Sequence, residues 1–195
     1  MTVNGNGVNI ETRRYHHGDL RAAVIAAALQ LLTDRDVQPF SLREVARTVG
    51  VSPTAVYRHF PDKSALLDAL AAEGLAQLAA EQRAAAEASG GGAAAFAATG
   101  RAYVRFALAN PALFRLIFGQ PARSGSGRAL SSDNAAMDQL RTQAAEAARS
   151  DAGGASGAVR EVKAWALVHG LAMLMLDGQI APDEALIDSV VQPVP

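Results

Sequence analysis

The sequence predicts an all-α protein, and three observations carry that prediction. Alanine is abundant and aromatics are few, the composition of closely packed helices, because alanine has the best helix propensity. Apolar residues recur at the three-to-four spacing of one helix face, whereas no stretch of useful length alternates as a strand does. Cap residues, prolines and glycines stand where helices should start and stop. Half of the 195 residues are hydrophobic, enough to bury a substantial core as one domain of moderate size or two small ones sharing an interior.

The elements follow in order. Residues 1–12, MTVNGNGVNIET, are polar and aperiodic and predict a flexible arm. A first helix begins at Asp19, with Leu20, Val24, Ala27, Ala28, Leu31 and Leu32 on one face, and stops near Asp36. Ser41-Leu42-Arg43-Glu44 is a capping box, in which serine and glutamate satisfy each other's exposed backbone donors, so a second helix starts at Leu42. Gly50 ends it as the residue that takes a positive φ cheaply. Ser52 caps a third helix with Pro53 at its first position, and Asp62 caps a fourth that runs from Lys63 to Ala88.

After SGGG at 89–92, helices are expected at 93–109 and 110–118, the second opening on Asn110 as cap and Pro111. A polar helix at 132–148 lies between mobile glycine/serine loops at 122–128 and 149–157. The last long helix, 158–178, holds the most apolar piece, VKAWALVHGLAMLML; Pro182 then starts a short helix to Val191.

Composition removes several function classes. Without cysteine there is no disulfide framework, thiolate metal site or thiol nucleophile. No apolar run of 18 residues and no signal-peptide order occur, so the expectation is a cytoplasmic chain with no membrane partner. No Gly-x-Ser-x-Gly elbow, HExxH or phosphate loop places the serines, histidines and aspartates for chemistry, which argues against an enzyme and against a cofactor. His16 and His17 have no third ligand nearby in sequence, so no metal is expected. The net charge of −1 conceals an asymmetry, with eight Lys/Arg against six Asp/Glu in residues 1–64 and ten against thirteen beyond. That excess of two is too small to argue for nucleic acid alone.

The segment EVARTVGVSPTAVYRH, Glu44 to His59, carries the functional reading. Three helices in close succession with a Gly-Val-Ser turn between the second and third is helix-turn-helix grammar. Leu42, Val45, Ala46, Val49, Val51, Ala55, Val56 and Phe60 form its inward side, leaving Ser52, Thr54, Tyr57, Arg58 and His59 outside. Such groups on a short helix suit the major groove, where base edges display distinguishable donors, acceptors and methyls. A helical ligand-binding or protein-interaction module whose polar face meets only water has the same grammar.

AAALQLL and then SLREVARTVGVSPTAVYRHFPDKSALLDAL resemble the DNA-binding segment of the TetR family of transcriptional repressors. The likeness rests on the Ala-x-x-x-Gly-Val-Ser turn, the Tyr-x-x-Phe and the Phe-x-x-Lys, and covers residues 20–70. WALVHGLAMLMLDG resembles the Trp-His-Gly subgroup of that family's C-terminal regulatory domain. Two positions depart from the pattern: Asp36 stands where glycine is usual, and Phe40 where a threonine often precedes the helix-two serine.

The resemblance implies an arm at 1–12, a DNA-binding domain at 13–62 and a regulatory and dimerisation domain at 63–195. It implies a repressor that binds a near-palindromic double-stranded operator as a homodimer and is released by a small-molecule inducer. Ser52, Pro53, Thr54, Ala55, Tyr57, Arg58 and His59 would lie at the groove, with Thr54 and Ala55 reading base edges or methyls and Tyr57 and His59 holding phosphates. Lys63, Ser41 and Arg43 would meet the backbone, and Arg13 and Arg14 on the arm would track phosphates or a minor groove. Phe96, Tyr103, Phe106, Phe114, Phe118, Met137, Trp165, His169 and Met173 either line a ligand cavity or are plain core, His169 being the polar exception. Trp165, Val168, Gly170, Leu171, Ala172, Leu176, Ile187 and Val190 are the expected pairing surface, with Leu167 and Leu174 as intramolecular core.

Overall fold

A computed structural model describes residues 20–34, 40–119 and 157–192. Eight helices are found among them: α1 (Leu20–Asp34), α2 (Leu42–Val49), α3 (Pro53–Tyr57), α4 (Lys63–Ala88), α5 (Gly92–Ala109), α6 (Pro111–Phe118), α7 (Gly157–Leu176) and α8 (Glu184–Val190). No strand occurs among the described residues. The arm, Arg13 and Arg14, Asp36, the loop at 122–128, the loop residues 149–156 and the polar helix expected at 132–148, with Met137, lie outside them.

Local chemistry sets the N-terminal boundaries. Ser41 Oγ accepts from the Glu44 amide at 3.2 Å, and α2 closes with Gly50 at φ 79°, where the Val51 amide reaches back to the Ala46 carbonyl at 3.0 Å. Ser52 Oγ caps α3 through the Ala55 amide, and Asp62 Oδ1 caps α4 through the Ala65 amide at 2.8 Å. Two expected caps differ. Asn110 makes no side-chain bond to the start of α6; its Nδ2 donates to the Phe106 carbonyl at 3.1 Å and so finishes α5 instead. The last helix starts at Glu184, two residues after Pro182, because Asp183 Oδ1 accepts from the Ala185 and Leu186 amides.

Two cores share one rod. Val24, Ala28, Phe40, Leu42, Val45, Ala46, Val56 and Phe60 close the first three helices around Leu66 and Leu70 of α4. Farther along α4, Ala71, Leu78 and Ala79 join Val104, Phe106, Phe114, Ile117, Leu171, Met175 and Ile187 in a second core. The first turns of α4 thus belong to the helix-turn-helix core although the helix reaches into the other half, a length of about 39 Å at 1.5 Å per residue. Leu116 of α6 and Leu29 and Leu32 of α1 pack against both clusters. At Gly74 the rod meets α6 so closely that a Cβ would stand 2.8 Å from Ile117 Cδ1 and from Leu113 Cδ1.

The faces of α7 overturn part of the sequence reading. Val168, Leu171 and Ala172, together with Ile187 of α8, are buried in a core shared with α4, α5 and α6, so little of their side chains is exposed on the single chain. Trp165, Leu176 and Val190 are half-buried against the same core. Leu167 and Leu174, expected inside, are instead 48% and 44% exposed, with Val159 and Val162 at 44% and 57%. Gly170 lies on this outer side, and a Cβ added there would meet nothing. The chain therefore presents an apolar stripe of Val159, Val162, Leu167, Gly170 and Leu174 on the outer side of α7, where Gly170 alone of the α7 residues first expected to pair is found. From Ala164 to Leu176 every residue of this helix but His169 is apolar, so periodicity alone does not choose its inner side.

Candidate nucleic-acid interface

The helix-turn-helix unit separates its two chemistries cleanly. Val56 and Phe60 are buried, and the turn after Gly50 holds α3 against α2. Ser52, Pro53, Thr54, Tyr57, Arg58 and His59 are all exposed, while Ala55 is half-buried. Tyr57, at 45% exposure, is a large aromatic held out in solvent beside a well-formed core. Ser41 and Arg43 at the start of α2 are exposed too, and Lys63 in the first turn of α4 is half-buried. Arg47 faces Glu44 at 3.7 Å, a surface pair that contributes little.

Two cations rest on aromatic rings at this end of the molecule, and sequence reasoning missed both pairings. Lys63 Nζ lies 5.2 Å from the centre of the Phe40 ring, and Arg21 Cζ lies 5.5 Å from the centre of the Phe60 ring. Phe60 directly follows His59, so the exposed Arg21 stands at the end of the α3 segment. Its place in RRYHHGDLR was the available signal, but nothing local names its aromatic partner.

In the other half, five of the expected ligand residues come together. Phe114, Phe118, Trp165 and Tyr103 surround His169 with ring centres 5.4 to 6.3 Å from the imidazole. Trp165 Nε1 donates to Tyr103 Oη at 3.3 Å, and Tyr103 Oη lies 2.9 Å from His169 Nδ1. The buried phenol needs an acceptor for its own proton, and Nδ1 provides it, which assigns the remaining imidazole proton to Nε2. Burial lowers the His169 pKa and raises that of Tyr103, so both groups favour their neutral forms. Phe106 is fully inside the adjoining core, Met173 packs on its edge, and Phe96 is half-buried on α5 without a ring contact to this group. Sequence reasoning also missed Gln82 of α4, which is 2% exposed and whose Oε1 has no hydrogen-bond partner among the described residues.

Polar clamps fix the elements around that cluster. Arg115 of α6 donates to the Leu176 carbonyl at 2.9 Å and pairs with Asp177 at 3.0 Å. Arg105 of α5 pairs with Glu184 at 2.7 Å, and Arg101 donates to the Val191 carbonyl. Among the described residues no helix is long and apolar enough to cross a membrane.

Comparison with known proteins agrees with this division of labour. Residues 24–70 match the model of the bacterial regulatory proteins of the tetR family, and residues 96–192 match that of the tetracyclin repressor-like C-terminal domain. The class C tetracycline repressor protein of Escherichia coli is 49% identical over 51 residues, which span 26% of this chain and 23% of that one. A Rhodococcus sp. RHA1 structure of unknown function is 37% identical with a TM-score of 0.77, covering 92% of this chain and 93% of its own. A TetR family transcription regulator from Marinobacter aquaeolei VT8 shares the fold at 16% identity and a TM-score of 0.63, covering 88% and 91%. The Mycobacterium smegmatis regulator LfrR, solved in complex with proflavine, shares it at 22% identity and a TM-score of 0.51, covering 88% and 91%. With its helix-turn-helix half and its C-terminal half each matched in turn, the chain belongs to the tetR family of bacterial transcription regulators.

Proposed function

We propose that this chain is a homodimeric repressor that grips a near-palindromic DNA operator and lets go when a small molecule enters its C-terminal half. The observation that carries the reading is the outward face of α3: five polar or aromatic side chains, Ser52, Thr54, Tyr57, Arg58 and His59, stand exposed on a segment whose opposite side is locked in a core. Thr54 and Ala55 are assigned to base edges and methyls, with Pro53 beside them; Tyr57, His59, Lys63, Ser41 and Arg43 are assigned to phosphates, and Arg21, held over the Phe60 ring at the end of α3, is proposed with them.

One such helix reads only a few base pairs, so two copies are needed, their recognition helices about 34–36 Å apart along the duplex. The exposed stripe on α7 is the surface assigned to that pairing, with Gly170 admitting the neighbouring helix closely. The inducer is assigned to the aromatic group around His169, whose Nε2–H supplies a donor among apolar rings. α6 is the transmitter: Phe114 and Phe118 touch the cluster while Leu113 and Ile117 press on Gly74 of α4. A ligand that favours a different seat for α6 would tilt the rod and change half-site spacing, by a coupling of about 1–3 kcal/mol.

Selection of duplexes from a random-sequence pool tests this. The expected product is an inverted repeat with half-site centres about 10 base pairs apart, and Thr54→Ala should relax preference within each half-site. A protein-interaction module would enrich no sequence, and that result would end the proposal.

A further inference from the structure

We infer that Phe40 is a positioning residue for DNA binding, acting through Lys63, which it holds in place for a backbone phosphate. The inference rests on the DNA-binding reading above. Three observations support it. Phe40 is 3% exposed and forms part of the helix-turn-helix core with Val24, Leu42, Val45 and Phe60, so its ring is immobilised by packing. One face remains for the Lys63 ammonium, 5.2 Å from the ring centre. The ring belongs to the residue directly before Ser41, the cap of α2, while Lys63 occupies the first turn of α4. The pair therefore ties together the starts of the two helices assigned to the DNA backbone.

A lysine side chain ordinarily surrenders considerable rotamer freedom when it fixes a phosphate. Attraction to the quadrupole of a rigid ring confines the ammonium before DNA arrives. The ring has no hydrogen-bond acceptor, so it leaves all three ammonium donors for a phosphate, which a carboxylate partner would not. A threonine at position 40 would offer a hydroxyl in place of a π-face. Lys63 and Lys163 are the only lysines among the chain's 18 basic residues, so the ring serves one of two ammonium groups.

The test is a double-mutant cycle read on a duplex selected by the natural protein. Phe40→Leu keeps an apolar core residue but removes the π-face, and should weaken operator binding roughly two- to fivefold. In a Lys63→Met background the same change should have no effect on affinity, while Phe40→Tyr should bind like the natural chain. A loss of equal size with and without Lys63 would show a merely structural role and overturn the inference. A second measurement needs no variant: with lysine labelled in carbon-13, the Lys63 ε-methylene of the folded natural chain should be shifted upfield by the ring relative to Lys163. Coincident ε-methylene signals would overturn the inference even if Phe40→Leu does not fold. Failure of the natural protein to bind any duplex would instead strike the DNA-binding reading, leaving the ring shift in place.

Discussion

Leu167→Glu should split the protein into monomers without unfolding it. Leu167 retains 48% of its exposure in the single chain, and burying a whole leucine side chain contributes about 1.5–3 kcal/mol, so covering the remainder contributes about 0.7–1.4 kcal/mol per copy. Symmetry doubles that to about 1.5–3 kcal/mol, a factor of roughly ten to a hundred in the dimer dissociation constant. The introduced carboxylates add a further penalty, because each would be desolvated against an apolar partner. The fold should not notice, since substitutions at exposed positions usually stay within about 0.5 kcal/mol. Leu171→Ala is the control. At 6% exposure inside the chain it should cost about 2–5 kcal/mol of folding stability through the cavity it leaves. Sedimentation equilibrium and thermal melts over a dilution series separate the two effects. If Leu167→Glu remained as dimeric as the natural chain, or if it melted like Leu171→Ala, the outer stripe of α7 would not be the pairing surface.

Three further outcomes follow from the geometry. Gly74→Ala should destabilise despite alanine's better helix propensity: that gain is about 1 kcal/mol, whereas a Cβ 2.8 Å from two side chains of α6 costs about 1–3 kcal/mol of repacking, and a raised melting temperature would contradict the close approach. Gln82→Leu should raise the melting temperature of the free protein by a few degrees, because a buried amide oxygen with no hydrogen-bond partner among the described residues costs about 1–3 kcal/mol; an unchanged or lower value would mean that the oxygen is satisfied. Burial depresses the His169 pKa, so the unfolded chain binds the proton more readily, and the associated stability is present above the ordinary value of about 6.5 and lost as pH falls through the folded one. Natural protein should therefore lose more stability between neutral and acidic pH than His169→Gln, and parallel profiles for the two would refute the effect.

The N-terminal half is almost fully legible in the sequence because its boundaries are decided within three or four residues. Ser41, Gly50, Ser52 with Pro53, and Asp62 each name a cap, and each forms a cap bond or backbone angle that its chemistry predicts, Ser41 by accepting from the Glu44 amide. The outward set on α3 is legible for the same reason: a five-residue helix with Val56 facing in has only one other side. Asn110 misleads because an amide serves a preceding carbonyl as readily as a following amide.

The C-terminal half is less legible, since α7 is apolar on every side from Ala164 to Leu176 except at His169, and its inner side is chosen by α5 and α6, which are remote in sequence. The Tyr103, Trp165 and His169 network joins residues 62 and 66 positions apart. The Phe40 and Phe60 pairings with Lys63 and Arg21 are likewise tertiary, and the departure from threonine at position 40 gains a physical sense only once the lysine is seen above the ring.

The most direct test is the salt dependence of binding to a selected duplex. The proposed phosphate contacts of Arg21, Arg43 and Lys63 would give three backbone cations per protomer and six per dimer, so the logarithm of affinity should fall linearly against the logarithm of salt concentration with a slope of about −5. A slope near zero, or binding that persisted unchanged when Tyr57 and Lys63 were both replaced by alanine, would mean that the exposed face of α3 does not meet DNA.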